Sequence, residues 1–176
     1  MIPQPNVKVN IIGRGKGWEN APCDELAWGI TLINLKRKVD LVIDMNVYED
    51  GRWGELEKQG AIKSRQLAIE NNVPYINLGS YPINEIIEYF ETDYFSNTID
   101  YAIALAIYKG FTEINLYGVN MTARSEYLWQ KPSLEFWIGQ ALGRGIKVKV
   151  HGSGSLILRT NGGVMYGYGT PQKGLL

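Results

Sequence analysis

Residues 9–20, VNIIGRGKGWEN, concentrate the groups best suited to chemistry. Gly13, Gly15 and Gly17 alternate with Arg14 and Lys16 directly after an apolar run. Glycine lets backbone N–H groups approach an anion, and two cations help to hold it, so the spacing suits a phosphate cradle. The same residues suit a tight strand-to-loop connection with Arg14 and Lys16 in water. GRGKGW matches neither the dinucleotide fingerprint G-x-G-x-x-G nor the phosphate loop ending in Gly-Lys-Ser/Thr. If the loop is a cradle, Gly15→Val weakens ligand binding far more than folding, because its side chain fills space the ligand needs.

Polar groups follow other apolar runs in the same way: Asp44 and Asn46, then Asn77, Gly79 and Ser80, then Gly118, Asn120 and Met121. Ligands of open α/β sheets sit outside the carboxyl ends of the strands, so these residues fit a crevice along one edge, although each also makes turns. Asp44 is the first carboxylate to consider as a base or metal ligand and Glu126 the second; a solvated or capping carboxylate is the alternative for either. Segment 121–135, MTARSEYLWQKPSLE, combines Arg124, Glu126, Gln130 and Lys131 with Tyr127 and Trp129. It suits stacking on a base, with contacts to phosphate or sugar, or a subunit contact. Met165, Tyr166 and Tyr168 add exposed-looking apolar surface in a glycine-rich tail. A homo-oligomer is expected, most simply a two-fold dimer, with Trp129 at the interface or at a ligand site close to it.

The chain has one cysteine and one histidine. That excludes an intrachain disulfide and a Cys/His zinc site, and no metal is assigned. Cys23 is expected to be a packed small residue. His151 follows a strand-like run, has no carboxylate nearby in sequence, and is not expected to be catalytic.

The elements that must position these residues alternate. Strand-like runs occupy 7–12, 39–44, 73–78, 113–119 and 145–151. A helix over 60–72 carries Ile62, Leu67 and Ile69. A second, over 96–110, is capped by Ser96, shares Ile99, Ile103, Ala106 and Ile107 on one face, and ends at Gly110. A third, over 131–145, opens with Pro132, and its Gly139 is expected to mark close packing against a sheet. Alternation of this kind predicts an α/β protein with a mainly parallel sheet. The 176 residues, 45% hydrophobic, suit one domain over 1–160 with a glycine-rich tail over 161–176, in which Met165–Tyr168 docks. Eighteen basic residues balance eighteen acidic ones, so no net charge points to nucleic acid or membrane partners. MIPQPNVKVN has no signal-peptide apolar stretch and nothing approaches a membrane span, so a cytoplasmic protein is expected.

VNIIGRGKGWENAP resembles the strand and Gly-x-Gly loop that open the Rossmann-like domain of DUF115 proteins, which include archaeal hydroxymethylpterin diphosphokinases. A related loop opens bacterial sialyltransferases of the Campylobacter type. SNTIDYAIALAIYKGFTEINLYGVNM, residues 96–121, resembles the second shared segment of these families. The full order is similar to small Rossmann-like proteins of tailed phages. The resemblance implies a three-layer Rossmann-like sandwich, a nucleotide or nucleotide-sugar ligand, glycosyl or phosphoryl transfer if the chain is an enzyme, and a phage protein acting in the host cytoplasm. It also implies that Gly13, Arg14, Gly15, Ser96, Asn97 and Thr98 line the site, with Gly118 and Asn120 beside it. The chain carries Lys16-Gly17 where the family often has Pro-Ser, Asn120 where an acidic residue is usual, and no histidine where the sialyltransferases keep their base. These differences favour an alternative: a non-catalytic protein that sequesters a host nucleotide signal or serves as an oligomeric partner.

Overall fold

The computed structural model describes residues 8–49, 51–152, 154–159 and 163–172. Val7, expected to open the first strand, and residues 160–162, where the tail was expected to begin, lie outside the described residues. Six parallel strands form one sheet: β1 (Lys8–Ile12), β2 (Ala27–Ile30), β3 (Leu41–Ile43), β4 (Tyr75–Ile76), β5 (Glu113–Tyr117) and β6 (Lys147–His151). Their order across the sheet is β4-β3-β2-β1-β5-β6. The four α-helices are α1 (Glu55–Glu70), α2 (Ile83–Phe90), α3 (Thr98–Tyr108) and α4 (Lys131–Gly143).

The central strands are buried on both sides, which is why they are short, continuous apolar runs without alternation. Val9 and Ile11 of β1, with Ile114 and Leu116 of β5, pack against α3 and α4 through Ile103, Leu105, Leu134 and Trp137. Ile12, Ala27 and Val42 face the other way, against Ala68 of α1 and Ile33 of a 3-10 segment over Thr31–Leu35. Connections stepping from β1 to β4 cover one face and those stepping through β5 to β6 cover the other. Right-handed crossovers on a twisted parallel sheet require this reversal. The outcome is the expected Rossmann-like α/β sandwich.

Two elements were missed by the sequence reading. β2 is only AWGI, too short to show a period, and its Gly29 is dictated by packing: a Cβ there would come within 2.4 Å of Ile33 Cγ2. The other is α2, whose buried face is Ile86 and Phe90. Helix α1 begins at Glu55 rather than at residue 60, and it buries Ala61, Ser64 and Ala68. Ile62 and Ile69 are 66% and 67% exposed. Small residues win that face because α1 lies close on the 3-10 segment. There Ser64 Oγ donates to Asn34 Oδ1 at 2.6 Å, and Asn34 Nδ2 donates to the Ser64 carbonyl at 2.8 Å.

Smaller expectations are corrected too. Asn97, not Ser96, caps α3, its Oδ1 accepting from the N–H groups of Ile99 and Asp100. Gly139 is exposed, and a Cβ on it would meet nothing within 4 Å. Cys23 is exposed, because Ala21 is the residue of that stretch that reaches the core. Met165–Tyr168 does not dock. The tail folds back on itself, Val164 bridging to Pro171, and leaves Tyr166 fully exposed.

Candidate functional site

β1 and β5 are neighbours at the point where the chain connections diverge to opposite faces, so the loops leaving them flank the crevice favoured for ligands. These loops are clasped backbone to backbone. Gly13 N–H donates to the Tyr117 carbonyl at 2.8 Å and Gly15 N–H to the Gly118 carbonyl at 2.8 Å. Asn120 Nδ2 donates to the Lys16 carbonyl at 3.1 Å. A Cβ on Gly13 or Gly15 would stand 2.6 or 2.7 Å from the Gly118 oxygen. Gly118 has φ +62°, and a Cβ on it would stand 2.7 and 2.8 Å from the carbonyl oxygens of Gly15 and Gly13. The glycines therefore serve the clasp first, and Gly15→Val strikes folding before it can report on a ligand. Of the N–H groups expected to cradle phosphate, those of Gly13 and Gly15 are spent in the clasp, and Gly17 N–H turns to Glu19 Oε2 at 3.2 Å. The N–H groups of Arg14 and Lys16 have no acceptor among the described residues.

A cleft of about 770 Å³ opens beside the clasp. It brings together Gly13, Arg14, Gly15, Lys16, Asn46, Ser96, Asn97, Thr98, Gly118, Asn120 and Glu126. Gly17, Ser80 and Trp129 lie outside its lining. Ser80 instead closes the turn after β4, its Oγ accepting from Asn77 N–H at 3.0 Å, and Trp129 is 74% exposed. Asp44 faces a second cavity of about 590 Å³ that shares Asn46 with the cleft.

Asp44 is buried and fully engaged. Its oxygens accept from the hydroxyls of Tyr48 and Tyr75 at 2.8 and 2.9 Å and from Asn46 Nδ2 at 2.7 Å. Burial, and then the Asp44 charge, push both phenols well above the usual tyrosine range, so they stay protonated and donating. Glu126 lies on the cleft, in a π-helical turn over Glu126–Gln130, and its Oε2 accepts from Ala123 N–H at 3.2 Å.

The opposite wall is the start of α3, held by a buried carboxylate. Asp100 has no exposed surface. It accepts from Ser96 N–H at 2.9 Å, Asn97 Nδ2 at 2.9 Å and Ser133 Oγ at 2.7 Å. Ser133 in turn is hydrogen-bonded to Ser96 Oγ. Burial pushes the Asp100 carboxyl up to about 6, against the pull of its donors.

Met121, nominated from its strand end, lines the cleft at φ +53°. The sequence reading missed other lining residues. Thr31 lines the cleft at φ +56°, a conformation uncommon for a β-branched residue. Thr31 Oγ1 accepts from Asn46 Nδ2 at 3.2 Å, at the end of a strand that sequence did not reveal. Trp53 also lines the cleft, and its buried Nε1–H has no partner among the described residues. His151 is outside the cleft lining: its ring stacks on Tyr117 at 4.2 Å and its Nε2–H donates to Asn115 Oδ1 at 2.8 Å. Among the described residues no helix is long and apolar enough to cross a membrane.

No protein-family model matches the chain, and no curated protein matches it. Solved structures do. The sialyltransferase CstII from Campylobacter jejuni, in complex with cytidine-5'-monophosphate, is 14% identical, with 88% of this chain and 83% of that chain covered at a TM-score of 0.47. The monomeric form of CstII is 13% identical, with 96% and 89% covered at a TM-score of 0.46. Of the families resembled in sequence, the sialyltransferases are the one to which these structures belong.

Proposed function

We propose that the cleft binds a nucleotide or nucleotide-sugar. The observation that carries this reading is the convergence, at the β1–β5 divergence point, of Arg14, Lys16, two loop N–H groups with no acceptor among the described residues, and the first turn of α3 around one cavity. Its volume of about 770 Å³ has room for such a ligand. Arg14 and Lys16 take the phosphate, with their own N–H groups assisting. Glu126 is the carboxylate we assign to glycosyl or phosphoryl transfer, as a base toward an acceptor hydroxyl, because it borders the cleft. Asp44 supports the site from behind: through Asn46 it fixes the floor shared by both cavities.

A second reading, a binding protein without turnover, is favoured by the complete hydrogen bonding of Asp44 to Tyr48, Tyr75 and Asn46. Calorimetry with the four common nucleoside monophosphates and their sugar conjugates tests binding. At least one is expected to bind, and Arg14→Ala with Lys16→Ala is expected to weaken it by about a hundredfold with little change in stability. Affinity unchanged in that double variant would remove the phosphate from this loop. Product analysis of the best-bound conjugate then separates the readings: turnover abolished by Glu126→Gln supports transfer, and an intact ligand supports sequestration.

A further inference from the structure

The N-terminus of a helix commonly favours an anion, and α3 begins at the cleft. Its hydrogen-bond accounting says otherwise. Asn97 Oδ1 already occupies the N–H groups of Ile99 and Asp100, and Ser96 N–H is spent on Asp100 Oδ2. What remains toward the cleft is the Thr98 N–H, which has no acceptor among the described residues, and the Ser96 hydroxyl, whose polarity is fixed from inside the protein. Ser133 has one proton and three acceptors in reach, Asp100 Oδ2 at 2.7 Å, the Gln130 carbonyl at 3.0 Å and the Ser96 hydroxyl oxygen. A carboxylate in a buried site takes it. Ser133 Oγ must then accept from its other neighbour, so the Ser96 hydroxyl turns its proton inward. The Asn97 amide has closer acceptors in Asp100 Oδ1 at 2.9 Å and the Gln130 carbonyl at 3.3 Å, and reaches Ser96 Oγ only at 3.5 Å. Ser96 Oγ is left with lone pairs at the cleft wall.

We propose that the Ser96–Ser133–Asp100 chain makes Ser96 Oγ an acceptor, so that this end of the cleft selects a ligand sugar hydroxyl while Arg14 and Lys16 take the phosphate. The assignment rests on the nucleotide reading above and adds to it the direction in which the ligand lies. Ser96 is the residue that touches the ligand; Ser133 and Asp100 are positioning residues that act through it. The same geometry carries a reversal. When Asp100 is protonated it donates to Ser133, Ser133 is free to donate onward, and Ser96 becomes free to present a proton to the cleft. Arg52 lines the same cleft but is not among the causes acting on Asp100, and no other charged side chain among the described residues is either. Asp100 owes its raised value to burial, and its hydrogen bonds pull the other way. Lys131 and Glu135 of α4 pair with each other at 2.8 Å, Glu126 is held by Ala123 N–H, and Tyr101 beside Asp100 is itself pushed up by burial and then by the Asp100 charge.

Neutron diffraction from deuterated crystals of the unliganded protein tests the polarity without any ligand. At pD 8 the Ser96 deuteron is expected on the line to Ser133, with Asp100 unprotonated; at pD 5 a deuteron is expected on Asp100. A Ser96 deuteron directed into the cleft at pD 8 overturns the proposal. The ligand arm compares CMP with its 2',3'-dideoxy analogue by calorimetry, or the same pair of whichever of the four monophosphates binds. At pH 8 the dideoxy form is expected to bind about tenfold more weakly. That discrimination is expected to fall as pH drops through about 6 in the wild type, and to be small and independent of pH in Ser133→Ala. Equal binding of the two forms at pH 8 overturns the sugar assignment. Failure of all four monophosphates to bind defeats the nucleotide reading and the sugar assignment with it, while the neutron result still decides the polarity of Ser96.

Discussion

The two walls of the cleft are built by opposite means. On the β1–β5 side, side chains are removed: Gly13, Gly15 and Gly118 let two loops touch through their main chains, with carbonyl oxygens where any Cβ would stand. On the α3 side, side chains are added: a buried carboxylate, two serines and an asparagine lock the first turn of the helix together. Main-chain contact fixes the position of the loop and leaves Arg14 and Lys16 free to meet a ligand. Side-chain contact fixes the direction of the hydroxyl hydrogens, which main-chain packing cannot do.

Substitution at Gly118 tests this contrast most severely. Gly118→Val places a β-branched residue at φ +62° and drives its Cβ into the Gly13 and Gly15 carbonyls. It is expected to cost more than about 4 kcal/mol and to leave little folded protein, measured by urea unfolding or soluble yield. A folded Gly118→Val protein of near wild-type stability would show that the loops can separate.

The other wall is expected to break less completely. Asp100→Ala leaves Ser133 Oγ, Asn97 Nδ2 and Ser96 N–H without their shared acceptor, and is expected to cost about 3 kcal/mol. Asp100→Asn sharpens the point through pH. The folded carboxyl, at about 6, holds its proton more tightly than an ordinary aspartate at 3.8, so its contribution is fully present below about pH 4 and drains as pH rises through 6. The stability of wild type relative to Asp100→Asn should therefore fall across that window and be flat above pH 7. A difference independent of pH would mean that the carboxyl titrates normally.

Gly139 is the control for the clasped glycines. It lies in α4, where an added Cβ meets nothing within 4 Å, so Gly139→Ala should stabilise by about 0.5–1 kcal/mol in denaturant titration. The smallest effect is expected from Trp129→Ala. Trp129 lies outside the cleft, and its loss should leave nucleotide affinity within about twofold by calorimetry. A larger loss would extend the site beyond the present lining.

Much of this was legible in the sequence for a physical reason. Strands buried on both faces must be apolar runs, so β1, β3 and β5 announced themselves; β6, at the sheet edge, did so by alternating lysine and valine, and α3 through its face of Ile99, Ile103, Ala106 and Ile107. Parallel topology follows from the alternation, and topology places ligand groups at strand carboxyl ends, so Arg14, Asn46 and Asn120 could be nominated together, while Ser96 was nominated by the resemblance of residues 96–121. What required the tertiary structure was every choice made by a neighbour remote in sequence. Glycine codes for freedom of the backbone but not for its use, and only the approach of residue 118 to residues 13 and 15 turned that freedom into a clasp. The four residues of β2 carry no period, so Thr31 could not be placed at the cleft. An exposed Ile62 and a buried Ser64 invert hydrophobic expectation because α1 lies so close to Asn34 that only small side chains fit between. Ser133, 37 positions beyond Ser96, determines which way one hydroxyl proton points, because hydrogen-bond direction depends on the whole chain of partners rather than on any residue within it.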